Sequence, residues 1–156
     1  MKTEELFNAI RSEEDKIVTQ LLTEDPNLVN TIDQRGSTPL LLATYYGYQD
    51  VARSILKFNP DVDAKDASGN TALMGVCFKG FLDIAELLLA HGASVNLTNG
   101  NDATALIFAA TFGRVDIVRL LLKNGADKNM KDARELQAID HAKMQGIKEI
   151  VRILEA

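Results

Sequence analysis

The chain has 156 residues, 46% of them hydrophobic and 25% charged, and a net charge of −5. Its length allows a sizeable core, its apolar runs are far short of a membrane span, and its acidic balance without a basic stripe argues against nucleic acid. The single cysteine, Cys77, excludes an intrachain disulfide and suits a reducing cytoplasm.

Residues 1–32 carry three basic and seven acidic side chains. The N-terminus is acidic and amphipathic, without the basic flank and apolar run of a signal peptide. Glu4 to Arg11 reads as a helix, with Leu6, Phe7 and Ile10 at helical spacing. Ile17, Val18, Leu21 and Leu22 mark a second. The segment KIVTQLL echoes DIVRLLL at 116–122, offset by one residue from a strict register of 33. Asp25-Pro26 stops the second helix, and Ser12 to Asp15 reads as the polar face of a degenerate capping unit.

From there one unit recurs: Thr38 to Asp63, Thr71 to Asn96 and Thr104 to Asn129, 33 residues apart. Fixed-period self-similarity is the signature of a repeat architecture. Thr38, Thr71 and Thr104 stand where a helix N-cap is wanted, and their hydroxyls accept an orphan backbone N–H. Leu40 and Ala43 face inward. Gly47, Gly80, Gly113 and Gly146 end each first helix in a left-handed conformation. Asp50, Asp83 and Asp116 are expected to cap the second helix, whose apolar face carries Val51, Ile55 and Leu56 or their equivalents. Asn59, Gly92 and Gly125 close it. The links between units, such as 61–71, are too short for a helix and read as projecting turns or small hairpins. Residues 132–156 keep Ala142, Gly146, Ile150, Val151 and Leu154, and form a charged C-terminal cap.

TPLLLA at 38–43, TALMGV at 71–76 and TALIFA at 104–109 are similar to the T-P-L-H-x-A signature of the ankyrin repeat family, whose period is also 33. The chain resembles that family over nearly its whole length. The resemblance implies an all-α solenoid of helix-turn-helix units with projecting turns. It divides the chain into a cap at 1–32, repeats at 33–65, 66–98 and 99–131, and a cap at 132–156, together one domain. The family histidine is replaced by Leu41, Met74, Ile107 and Asp140, so its hydrogen bond to the threonine is expected to be missing. The turn glycine becomes Asp102 and Glu135, which puts the geometry of those turns in question. Pro60 stands where the family has alanine.

No chemistry of catalysis is assembled. His91 and His141 lie far apart in repeat order, no His/Cys cluster has metal-ligand spacing, and the glycines are repeat punctuation. No cofactor or metal is expected. Cys77 reads as a small core residue. Tyr48 and Phe81, just after their glycines, are expected to pack at the inter-helix turn.

The resemblance implies binding of another protein through turn tips and the surface of the first helices. The tips include Arg35 and Arg134. The groove positions are Tyr45, Tyr46, Phe78, Lys79, Thr111, Phe112, Met144 and Gln145. They hold four of the nine aromatic residues. Stacking predicts one row of Tyr45, Phe78, Thr111 and Met144, and a second of Tyr46, Lys79, Phe112 and Gln145. Aromatic rings edged by lysine suit a hot-spot stripe, unless they pack between units. The expected role is a non-enzymatic, cytoplasmic binder, monomeric when unbound, that acts as inhibitor, adaptor or immunity-type antagonist. The alternative is an obligate accessory subunit that stabilises one enzyme.

Overall fold

The computed structural model describes all 156 residues. They form an all-α repeat solenoid of ten helices: α1 (Lys2–Arg11), α2 (Asp15–Glu24), α3 (Pro39–Tyr45), α4 (Gln49–Leu56), α5 (Ala72–Lys79), α6 (Leu82–Ala90), α7 (Ala105–Thr111), α8 (Val115–Lys123), α9 (Ala138–Met144) and α10 (Lys148–Glu155). A 3-10 turn, Pro26–Asn30, follows α2. Odd-numbered helices stack in one layer and even-numbered helices in the other, and each odd helix packs against its hairpin partner.

The core runs along the stack in rows. Val18, Val51, Ile84, Ile117 and Ile150 form one row, and Leu22, Ile55, Leu88, Leu121 and Leu154 the next; all ten are buried. Both rows keep the strict spacing of 33. The turn of the first unit nevertheless carries the one-residue offset: Glu14 stands at the N-cap of α2 as Tyr48 does for α4, and Glu14 N donates to Ala9 O as Tyr48 N does to Ala43 O, while Ile17 is 43% exposed. In the odd layer, Ile10, Ala43, Val76, Ala109 and Ala142 are fully buried. Three of these five are alanine, which lets short helices approach closely.

Local chemistry sets the helix ends. The hydroxyls of Thr38, Thr71 and Thr104 accept from the amides of Leu41, Met74 and Ile107 at 3.1, 3.3 and 3.2 Å. The second helices start differently from expectation. Tyr48, Phe81 and Arg114 occupy their N-cap positions without a side-chain cap, and Asp50, Asp83 and Asp116 lie inside the first turn. There the carboxylates favour the positive end of the helix dipole. Two of them also pair with an arginine one turn on, Asp50 with Arg53 at 3.3 Å and Asp116 with Arg119 at 3.6 Å.

The turn between the two helices packs one unit onto the next. Phe81 lies so close to Gly47 that a Cβ there would meet its Cζ at 2.9 Å. Arg114 covers Gly80 in the same way, and Ile147 covers Gly113. In the first unit Glu13, at φ 53°, takes the left-handed place of glycine. Ser12, Glu13 and Glu14 form the inter-helix turn and are exposed to solvent, and Asp15, the first residue of α2, accepts a hydrogen bond from Ser54 Oγ on α4.

The departures from the repeat pattern are absorbed. Asp102 and Glu135 adopt φ of 57° and 64°, so both turns keep the glycine geometry. At two of the positions lacking histidine a substitute acceptor appears. Thr71 N donates to Met74 Sδ at 3.5 Å, and Gln137 N donates to Asp140 Oδ2 at 2.9 Å.

Candidate protein-binding groove

Each turn tip is built on one side-chain oxygen. Asp33 Oδ1 accepts from the amides of Arg35 and Ser37 at 2.9 and 3.0 Å. Asp66 Oδ1 does the same for Ser68 and Asn70, both at 2.9 Å. Asn99 Oδ1 holds Asn101 and Ala103, and Asp132 Oδ1 holds Arg134 and Leu136. A backbone bond from residue 33, 66, 99 or 132 to the carbonyl four residues on closes each loop without forming a strand. Gly100 N donates to Ser68 O at 3.0 Å and Ala133 N to Asn101 O at 2.9 Å, which ties the second, third and fourth tips together. No such bond joins the first tip to the second.

The second side-chain atom of these four residues is engaged in three cases. Arg11 Nη2 donates to Asp33 Oδ2 at 3.3 Å, Asn99 Nδ2 donates to Asn70 Oδ1 at 2.8 Å, and His141 Nε2 lies 2.7 Å from Asp132 Oδ2. Burial is the largest single influence on Asp132 and opposes its ionisation. The bonds from His141 and from the amides of Leu136 and Arg134 together outweigh it, so its pKa falls below the ordinary carboxylate value.

Between α1, the first tip, α3 and α5 lies a groove of about 1140 Å³. Leu41, Leu42, Ala72 and Gly75 line its floor, Tyr45 and Tyr46 one end, and Arg35 the tip side. Tyr45 and Tyr46 are 42% and 48% exposed and meet edge to face, with centroids 5.7 Å apart. Tyr48 stacks under Tyr46 at 5.8 Å and so supports the exposed pair. Lys79 Nζ lies 4.6 Å from the centre of the Tyr45 ring, a cation–π contact. Phe112 is exposed and receives the half-buried Phe78 edge on, at 4.7 Å.

These contacts cut across the two expected rows. Tyr45 meets Lys79 and Phe78 meets Phe112, so each pair joins one row to the other. The Thr111 hydroxyl is taken by Ile107 O at 2.7 Å, and Met144 stands exposed at the far end. Tyr45, Tyr46 and Arg35 line the groove, whereas Phe78, Lys79, Thr111, Phe112 and Met144 lie beyond it. Sequence reasoning passed over Arg11, Asp66 and Gly75. Gly75 offered a signal: it stands inside the continuous helix α5, where the other units hold Leu42, Phe108 and His141.

No group of three or more His, Cys, Asp or Glu residues is arranged to hold a metal ion, and no helix is long and apolar enough to cross a membrane. Cys77 is fully buried, which pushes its thiol pKa up and keeps the thiolate from forming.

Over 49 residues the chain is 45% identical to the serine/threonine-protein kinase VIK of Arabidopsis thaliana, covering 31% of this chain and 11% of that protein. Over 63 residues it is 33% identical to the ankyrin repeat and SAM domain-containing protein 6 of Mus musculus, covering 40% of this chain and 7% of that one. The protein of the same name in Rattus norvegicus is 32% identical over the same length. The chain thus spans only a small part of each of these relatives. The family profile for ankyrin repeats matches three times, over residues 6–99, 54–132 and 92–155. With that coverage and this fold, the chain belongs to the ankyrin repeat family.

Proposed function

We propose that the chain is a non-enzymatic module that binds one partner protein through the groove and the turn tips, as an inhibitor, adaptor or immunity-type antagonist. Ankyrin repeats are generally protein–protein interaction modules. The observation that carries the reading is the exposed Tyr45–Tyr46 pair, held on Tyr48 at the end of an open groove. Tyrosine gives large contact area at small entropic cost and is enriched in interface hot spots. Arg35, Phe78, Lys79, Thr111, Phe112 and Met144 would extend the contact along the stack. The free, buried Cys77 supports a reducing, cytoplasmic setting.

The test is retention of a partner from source lysate by immobilised protein, wild type against a Tyr45→Ala, Tyr46→Ala, Phe112→Ala variant that circular dichroism shows to be folded. Loss of one defined partner in the variant supports the reading. Equal retention by both proteins moves the interface elsewhere.

A further inference from the structure

The four tip residues, Asp33, Asp66, Asn99 and Asp132, occupy one register position, and only one of them has an idle second atom. Arg11 takes the outer oxygen of Asp33, and His141 takes that of Asp132. Asn99 spends its amide on Asn70. Asp66 Oδ2 has no hydrogen bond and no cation within salt-bridge distance, and Asp66 lines the groove.

The reason lies on α5. His141 reaches Asp132 from the register position that Gly75 fills in the second unit, 66 residues earlier. With no side chain at Gly75, the site where an internal partner would sit is open. A Cβ at Gly75 would meet only Tyr45 Cδ1, at 3.5 Å, an ordinary contact. A helix-interior glycine is less favourable than alanine. Here the missing side chain leaves a notch floored by Ala72 and Leu42 and walled by the Tyr45 ring.

We infer that this notch receives an arginine side chain from the partner protein, whose guanidinium donates to Asp66 Oδ2. The inference rests on the groove reading above. The chain already contains the interaction one unit away, where Arg11 crosses from α1 to Asp33 Oδ2. A guanidinium fits both a carboxylate and an aromatic wall, and its methylene stem suits an apolar floor. Glu4 adds a second carboxylate to the lining. Of the nearby cations, Arg11 is held by Asp33 and Lys79 by the Tyr45 ring, while Arg35 stands on the first tip.

The test is a titration of the isotope-labelled full chain with Nα-acetyl-arginine N-methylamide, followed by amide chemical shifts. The lysine and citrulline analogues serve as controls. Asp66→Asn should keep the tip, because Asn99 already holds the same turn with an amide oxygen. Gly75→His should fill the notch as His141 does in the last unit. Shifts are expected at Tyr45, Ala72 and Gly75 with arginine, and smaller ones with citrulline. Asp66→Asn should weaken binding about tenfold, the loss expected for one charge-assisted hydrogen bond, and Gly75→His should abolish it. Absence of shifts in the wild type, equal binding of citrulline, or undiminished binding by Asp66→Asn would overturn the inference. A partner whose capture needs Tyr45 and Tyr46 but is indifferent to Asp66→Asn would sink the arginine site and leave the groove reading standing. Saturable arginine shifts that Asp66→Asn removes uphold the site even if no partner needs the tyrosines.

Discussion

Three glycines with nearly the same backbone offer a way to separate strain from packing. Gly47, Gly80 and Gly92 have φ of 76°, 85° and 89°, all in the left-handed region. Replacing any of them by alanine therefore incurs the same backbone cost, about 1–2 kcal/mol. Their surroundings differ. Nothing lies within 4 Å of a Cβ at Gly92, so Gly92→Ala should show the backbone cost alone. At Gly80 the new methyl would meet the Arg114 guanidinium at 3.0 Å. Arg114 donates to Phe78 O from Nε at 3.2 Å and from Nη2 at 2.8 Å. Displacing a flexible, half-exposed arginine weakens those bonds without stranding a charge, so Gly80→Ala should cost about 1 kcal/mol more than Gly92→Ala. At Gly47 the obstacle is the ring of Phe81, with Cζ at 2.9 Å and Cε2 at 3.0 Å, a half-buried ring packed against the core that has fewer rotamers to escape into than arginine. Overpacking of that kind costs about 1–3 kcal/mol beyond the strain. Urea unfolding followed by circular dichroism at neutral pH gives the three differences directly. The expected order of destabilisation is Gly47→Ala, then Gly80→Ala, then Gly92→Ala. Equal losses, or a loss at Gly92 as large as at Gly47, would refute the claim that these turns lock neighbouring units together.

Two further outcomes concern the core and the last unit. Leu88 is fully buried, in register between Ile55 and Leu121, so Leu88→Ala should destabilise by about 2–5 kcal/mol in the same urea assay. A loss below about 1 kcal/mol would mean that the row collapses freely around the gap. Asp132 has a lowered pKa in the folded chain, so its charge adds stability above the unfolded value of about 3.9. That contribution is lost as pH falls through the folded value. Asp132→Asn should therefore be less stable than wild type at pH 7, by a margin that shrinks in the acid range. A margin unchanged down to strongly acid pH would show that ionisation of Asp132, held by His141 and the amides of Leu136 and Arg134, contributes no stability.

The architecture was legible because repetition multiplies a weak local signal. One N-cap threonine or one turn glycine is a modest indication, but Thr38, Thr71 and Thr104 in phase with Gly47, Gly80 and Gly113 leave little choice of fold. The same redundancy explains why Asp102 and Glu135 keep the turn geometry although glycine is missing there: neighbouring tips and the Asn99 and Asp132 side chains hold the backbone in place. In the degenerate first unit the composition of KIVTQLL suggested a shifted register. The backbone of its turn carries that shift, with Glu13 and Glu14 in the places of Gly47 and Tyr48, and α2 then buries Val18, Leu21 and Leu22 and leaves Ile17 half-exposed.

The sequence by itself determined the helices, the threonine-capped starts of the first helix in each internal unit, the period and the list of side chains at the mouth of each unit. All of these depend on interactions within a few residues of chain, repeated at one interval. Tertiary structure alone decided which of those side chains meet. The diagonal contacts of Tyr45 with Lys79 and of Phe78 with Phe112 follow from the offset between stacked helices, which no local rule encodes. The depth of the groove and the idle oxygen of Asp66 likewise depend on what a neighbouring unit lacks at Gly75, and an absence acquires a shape only once the units are stacked.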